Sequence, residues 1–152
     1  IVANLARPPA GGDTDQLKAV AAGMCDLTLA NTYYLARLAR SRHASDNMVA
    51  NQLAVLWPNQ ADRGTHFNIS GIALTKAAKH KKQAVQLMEY MVSDAAQAWY
   101  AEVNNEYPVV PEVPTPTILQ TFGQAKPDTV ALSVLGQLNR QAVMLMDQAG
   151  WR

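Results

Sequence analysis

Disulfides, membrane-spanning runs and charge of one sign are all scarce in this sequence, and each scarcity excludes something. A single cysteine, Cys25, rules out an intrachain disulfide framework. It lies in an apolar run, where a free thiol behaves as a small buried hydrophobe, and the sequence marks no base beside it. No apolar run approaches the ~20 residues that a bilayer-spanning helix needs. The first residues show neither the basic start nor the small-residue cleavage site of a signal peptide, which leaves the compartment open. Thirteen Lys and Arg stand against twelve Asp and Glu, a formal net charge of +1. Such a balance gives no overall attraction to nucleic acid or to an anionic membrane. Lysines gather only at Lys76, Lys79, Lys81 and Lys82, around His80. No aromatics interleave with them, so they read as a solvated helix start and not as a phosphate-binding patch. His43, His66 and His80 are too scattered for a zinc spacing. Neither a nucleophile–base pair nor an acid–base carboxylate pair is present, and nothing specifies a catalytic centre. The chain reads as a non-enzyme.

What is present is a globular composition. Of 152 residues, 49% are hydrophobic and 16% charged, enough for one domain with a real core and too apolar for disorder. Pro8, Pro9, Gly11 and Gly12 mark an extended entry and a loop. "DTDQLKAVAAG" then predicts a helix capped by Asp13 or Thr14, with Leu17, Val20 and Ala21 on its apolar face and Gly23 as its stop. "CDLTLA" predicts a short strand, and "TYYLARLARS" resumes helical spacing with a basic end between Arg37 and Arg42. "NQLAVLWPNQ", stopped by Pro58, and "THFNISGIALT", with Gly71 inside it, predict two more strands separated by a polar loop.

One long helix is expected over about 81–103, burying Val85, Met88, Val92, Ala95 and Trp99. The proline-rich "EYPVVPEVPTPT" reads as an irregular connection. A last helix over about 129–149 carries Leu135, Leu138, Ala142 and Leu145 on one stripe, and Gly150 ends it. Met88, Met91, Met144 and Met146 read as core filler. The alternation of helix and strand favours an α/β fold. Three strands are too few for a self-contained doubly wound sheet around this much helix, so either strands are hidden or the chain is part of a larger protein.

The most informative stretch is "CDLTLANTYYLARL", where the apolar run ends at Asn31 and Tyr33 and Tyr34 stand side by side at a helix start. Packing alone explains such a pair: one ring enters the core and the other stays at the surface. The chemistry of two phenols suggests more. Phenolate is a hard anionic donor suited to a hard cation such as Fe³⁺. Ionising each phenol at pH 7 costs about 3 pK units, roughly 4 kcal/mol, which a trivalent ion can offset while releasing protons. Mid-helix neighbours diverge by about 100° around the axis. The first turn is less constrained, and its free N–H groups and positive dipole end favour phenolate or a bound anion. Asn31 offers an amide to cap the helix or to bond an anion sharing the metal. Asp13 and Asp15 are placed to reach a metal, but helix capping explains them.

Together "GGDTDQLKAVAAG", "CDLTLANTYYLARL", "LWPNQADRGTHFNISGIALTKAAKH", "AVQLMEYMVSDAAQAWYAEVNNEYPV" and "AGWR" resemble the periplasmic ferric-ion-binding proteins of bacterial iron-uptake ABC transporters. The resemblance runs from about Leu5 to the last residue and covers only the later, carboxy-terminal portion of that family. It implies part of a two-lobed periplasmic-binding-protein (type II) fold. Residues 1–54 would be the later part of the second lobe with the tyrosine motif, 55–70 a hinge crossover, and 71–152 the returning part of the first lobe. The adjacent tyrosines of the family motif fall on Tyr33 and Tyr34 as Fe³⁺ ligands, and its anion-contacting asparagine falls on Asn31. A synergistic anion such as carbonate or phosphate is implied with the metal. The implied partners are an inner-membrane ABC importer permease and the absent amino-terminal portion, in a monomeric periplasmic protein that binds no nucleic acid. The alternatives are a relative carrying a small organic or inorganic anion, or an interaction domain with both tyrosines packed.

Overall fold

Residues 2–8 and 10–151 are described by the computed structural model; Ile1, Pro9 and Arg152, which belong to the expected entry loop and closing motif, lie outside them. The elements are a 3-10 turn, Val2–Asn4, and the helices α1 (Asp13–Ala21), α2 (Thr32–Ala39), α3 (Ala44–Asn51), α4 (Lys81–Met91), α5 (Asp94–Asn104), α6 (Thr117–Gln120) and α7 (Leu132–Gln148). Two compact units contain them. One is built from residues 12–56 and 68–124, the other from 1–11, 57–67 and 125–152.

The first unit holds the hydrophobic core. Leu17 of α1, Leu35 and Leu38 of α2 and Ala50 of α3 form its centre, with Tyr34, Val49, Leu53, Val55 and Phe122 packed against it. Leu119 of α6 is fully buried. Helix α1 departs from expectation at its start. Gly12 is the N-cap, and the Asp15 carboxylate accepts its N–H at 2.9 Å, so neither Asp13 nor Thr14 caps the helix. Its end is as expected: Gly23, at φ +70°, lets Met24 N–H reach back to Ala19 O at 3.0 Å.

Helix α3 lies where no element was expected and takes in Asn51, the first residue of the next predicted strand. The turn before it is tied by side chains: Ser41 Oγ donates to Asp46 at 2.7 Å, and Asn47 Nδ2 donates to the terminal carbonyls of α2, Leu38 O at 3.0 Å among them. These bonds satisfy orphan helix-end groups, a role that hydrophobic spacing does not reveal. The expected single helix over 81–103 is instead α4 and α5, broken at Val92–Ser93. Ser93 caps α5 by accepting Ala96 N–H at 3.4 Å, while its hydroxyl donates to Tyr90 O at 2.6 Å. Helix α5 ends at Asn105, which adopts a left-handed conformation at φ 59°. Asn105 is buried, and its Oδ1 accepts from Arg40 Nη1 at 2.8 Å.

The three predicted strands are also corrected. Cys25–Ala30, the stretch after Asn51 and the 65–75 segment form no strand, and among the described residues the only bridge joins Thr65 to Pro127. A strand requires a neighbour for its N–H and C=O groups, and among the described residues of these segments Thr65 alone has one. Several of their large apolar side chains are bare, with Leu27 at 75% and Leu56 at 85% exposure. The expected buried faces of the long helices are bare as well: Val85, Val92 and Trp99, and all of α7, including Leu135, Leu138, Met144, Leu145 and Met146, are exposed.

The second unit is held by a polar knot between residues 58–65 and 126–128. Thr65 N–H donates to Lys126 O at 2.9 Å and Asp128 N–H to Thr65 O at 2.8 Å. Gln60 spans the same pair, accepting Lys126 N–H at 2.7 Å and donating to Thr65 Oγ1 at 2.9 Å. Arg63 pairs with Asp128 at 3.0 Å. Gly64 is required here: at φ +101° it lies so close to the facing strand segment that a Cβ would stand 2.6 Å from Pro127 O.

Candidate functional site

Tyr33 and Tyr34 are the second and third residues of α2, on its first turn, within the cored unit. The N-cap is Asn31, whose backbone is extended (φ −72°, ψ 141°) and whose carbonyl accepts Tyr34 N–H at 3.2 Å. The two rings touch, with centroids 4.4 Å apart and planes inclined at 39°. The first turn thus overcomes the divergence that separates neighbours farther along a helix. Tyr34 packs against the Leu17–Leu35–Leu38–Ala50 core, and the Arg37 guanidinium lies 5.5 Å from its ring centroid. One wall of the pair is therefore fixed by packing and by a cation on its ring face.

The Tyr33 phenol is held above the ordinary tyrosine value. The largest cause is its hydrogen bond with the Tyr34 phenol, followed by desolvation and then by the charges of Tyr34, Asp13 and Glu106. The Tyr33 phenol therefore holds its proton tightly and sits near two carboxylates. The nearby carboxylates make the region around the phenols negative.

Asn31 does not cap the helix with its side chain. Asp13 Oδ2 accepts its backbone N–H at 2.8 Å and its side-chain Nδ2 at 3.3 Å, while Asn68 Nδ2 donates to its Oδ1 at 3.2 Å. Three segments distant in sequence thus meet in front of the tyrosines. Pattern reasoning weighed Asp13 and set it aside, and it missed Asn68 and Glu106. Asp13 carried a local explanation as a helix cap, and Asn68 lies 37 residues beyond Asn31 in a segment read only as a strand.

The other candidates were three histidines and a cysteine. His43, His66 and His80 are each exposed, and Cys25 is half-buried with a free thiol. Among the described residues no three His, Cys, Asp or Glu side chains gather in a metal-binding group. The adjacent phenols offer two hard oxygen donors, and a hard cation takes more ligands than two. No helix among the described residues is long and apolar enough to cross a membrane.

A family model described as bacterial extracellular solute-binding protein matches residues 2–127. Iron uptake protein A1 of Synechocystis sp. is 44% identical over 151 residues, which cover 99% of this chain and 42% of that protein. Among solved structures, the Trichodesmium protein IdiA (FutA), in complex with iron and citrate, superposes with a TM-score of 0.94 at 52% identity, covering 99% of this chain and 48% of that one. The ferric binding protein from Campylobacter jejuni gives a TM-score of 0.94 at 38% identity with the same coverage. The chain therefore spans under half the length of the relatives it matches. Its fold is a portion of their α/β periplasmic-binding-protein fold.

Proposed function

Because the chain belongs to the bacterial extracellular solute-binding protein family, we propose that it forms the carboxy-terminal portion of a ferric-ion-binding protein that carries Fe³⁺ to an ABC importer. The observation that carries this reading is the adjacent Tyr33–Tyr34 pair on the first turn of α2, with the two rings in contact. As phenolates the two oxygens supply two of the hard anionic ligands that Fe³⁺ prefers. The ion is cargo, bound and released unchanged, and the protein is not an enzyme. Asn31 stands at the helix N-terminus beside the pair and is the residue for a synergistic anion, carbonate, phosphate or citrate, that fills the shell. The compartment that suits this cargo traffic is the periplasm.

The remaining ligands and the cover for the bare surfaces come, in this reading, from the rest of a two-lobed polypeptide. The uncovered α7 face and the largely unpaired segments support it, because such surfaces are covered in a finished domain. Residues 12–56 and 68–124 would then belong to one lobe, and 57–67 with 125–151 to the other. Iron would draw the lobes together by hinge closure.

Titration of the full-length polypeptide with ferric citrate tests the reading. Tyrosinate-to-iron charge transfer should produce a visible absorption band that saturates with bound metal. Because binding expels phenol protons, and the Tyr33 proton is held more tightly than usual, affinity should fall steadily as the pH is lowered. Tight binding without colour would remove the tyrosines from the shell. Heat stabilisation by citrate alone, equal to that by ferric citrate, would favour a carrier of small anions.

A further inference from the structure

We infer that Asp13 is a positioning residue for the Tyr33–Tyr34 site, acting through Asn31; the inference rests on the ferric reading above. The geometry forms a relay. One carboxylate oxygen of Asp13, on the first turn of α1, accepts both the backbone N–H of Asn31 (2.8 Å) and its side-chain amide (3.3 Å). The Asn31 carbonyl in turn accepts the N–H of Tyr34 at 3.2 Å. Fixing the Asn31 peptide from one side therefore fixes the turn from which both phenols project. Asn68 holds the opposite end of the Asn31 amide at 3.2 Å, so the side chain is gripped from two segments and cannot rotate freely.

This accounts for two otherwise odd features. Asn31 occupies an N-cap position, where asparagine normally bonds the helix's own N–H groups, yet its side chain is turned away to Asp13 and Asn68. Asp13 stands where a cap or first-turn acid is expected, yet it spends its carboxylate 18 residues away while Asp15 serves Gly12. A charge-assisted bond to a backbone N–H is among the stronger ones available. Partners that orient ligand-bearing groups commonly change metal affinity by about 10- to 100-fold when removed.

The test uses full-length Asp13→Ala and Asp13→Asn variants, each titrated with ferric citrate and followed by the position of the charge-transfer band, the iron affinity and the melting temperature. Asp13→Ala should weaken iron binding by about 10-fold and shift the band, because the phenolates meet the ion at altered angles. Asp13→Asn keeps an acceptor oxygen for the Asn31 N–H and should restore the wild-type band position and most of the affinity. If both variants lose affinity equally with the band unmoved, the carboxylate acts by its charge and the positioning role is wrong. A lowered melting temperature with band and affinity unchanged would make it a structural tie and likewise overturn the inference. Absence of a band in the wild type would instead defeat the ferric reading itself, so the two failures are distinct.

Discussion

The two compact units solve the same folding problem with different means. Residues 12–56 and 68–124 enclose every buried apolar side chain among the described residues, from Leu17 to Leu119. Residues 57–67 and 125–151 have instead a backbone knot, a glutamine clamp and a surface ion pair, and their seventeen-residue helix buries nothing. Helices in proteins owe most of their stability to packing of an apolar face. A unit with its own core holds its local geometry, whereas α7 has the stripe of a packed helix and no surface to pack on. The tyrosine pair sits on the cored unit, where Tyr34 is itself part of the packing.

That contrast is open to direct attack. Leu35→Ala in the core should cost about 2–5 kcal/mol in urea unfolding, the range for truncating a buried leucine. Gly64→Ala should come next, costing more than ~1 kcal/mol, because it forces a Cβ against Pro127 O at a positive φ; a neutral result would show that the knot is looser than its bonds suggest. Leu138→Ala in α7 should cost under about 0.5 kcal/mol in this chain, as for an exposed site. In a polypeptide of the relatives' full length the same change should cost about 2–5 kcal/mol if the remaining portion covers α7. Equal, small costs in both would mean that nothing covers this helix.

The smallest effect is electrostatic. Asp46 is held below the usual carboxylate range, first by the Ser41 hydroxyl and then by Lys18, against an opposing desolvation. A depressed carboxylate contributes stability above its unfolded value of about 3.9 and loses it as pH falls through the lowered folded value. Asp46→Asn should therefore differ from wild type at neutral pH and converge with it in acid unfolding; a difference that persists in strong acid would point to another cause.

Legibility followed locality. The helix at 13–21, the Gly23 stop and the tyrosines on the first turn of α2 were readable because caps, stops and 3.6-residue spacing are local signals. The break at Ser93 was legible in principle, since Ser-Asp is a helix-start signal, but continuous apolar periodicity across Val92 concealed it. Helix α3 depends on side chains of Ser41 and Asn47 reaching specific carbonyls. The predicted strands show the opposite limit. Leu27, Leu29 and Leu56 carry strand-forming character, and pairing is a property of a neighbour that no single segment encodes. Tyr33, Tyr34 and Asn31 were proposed together from one motif. Asp13 and Asn68 were not, because their contacts with Asn31 join residues 18 and 37 positions apart.

The central claim is that the Tyr33 and Tyr34 oxygens bind the metal directly. Resonance Raman spectroscopy of the iron-loaded full-length protein, excited in its visible band, tests it most directly. Phenolate vibrations should be enhanced in the wild type, weakened in both Tyr33→Phe and Tyr34→Phe, and reduced in the double variant to whatever other tyrosine ligands supply. Iron-loaded single and double variants with phenolate vibrations as strong as the wild type would contradict it.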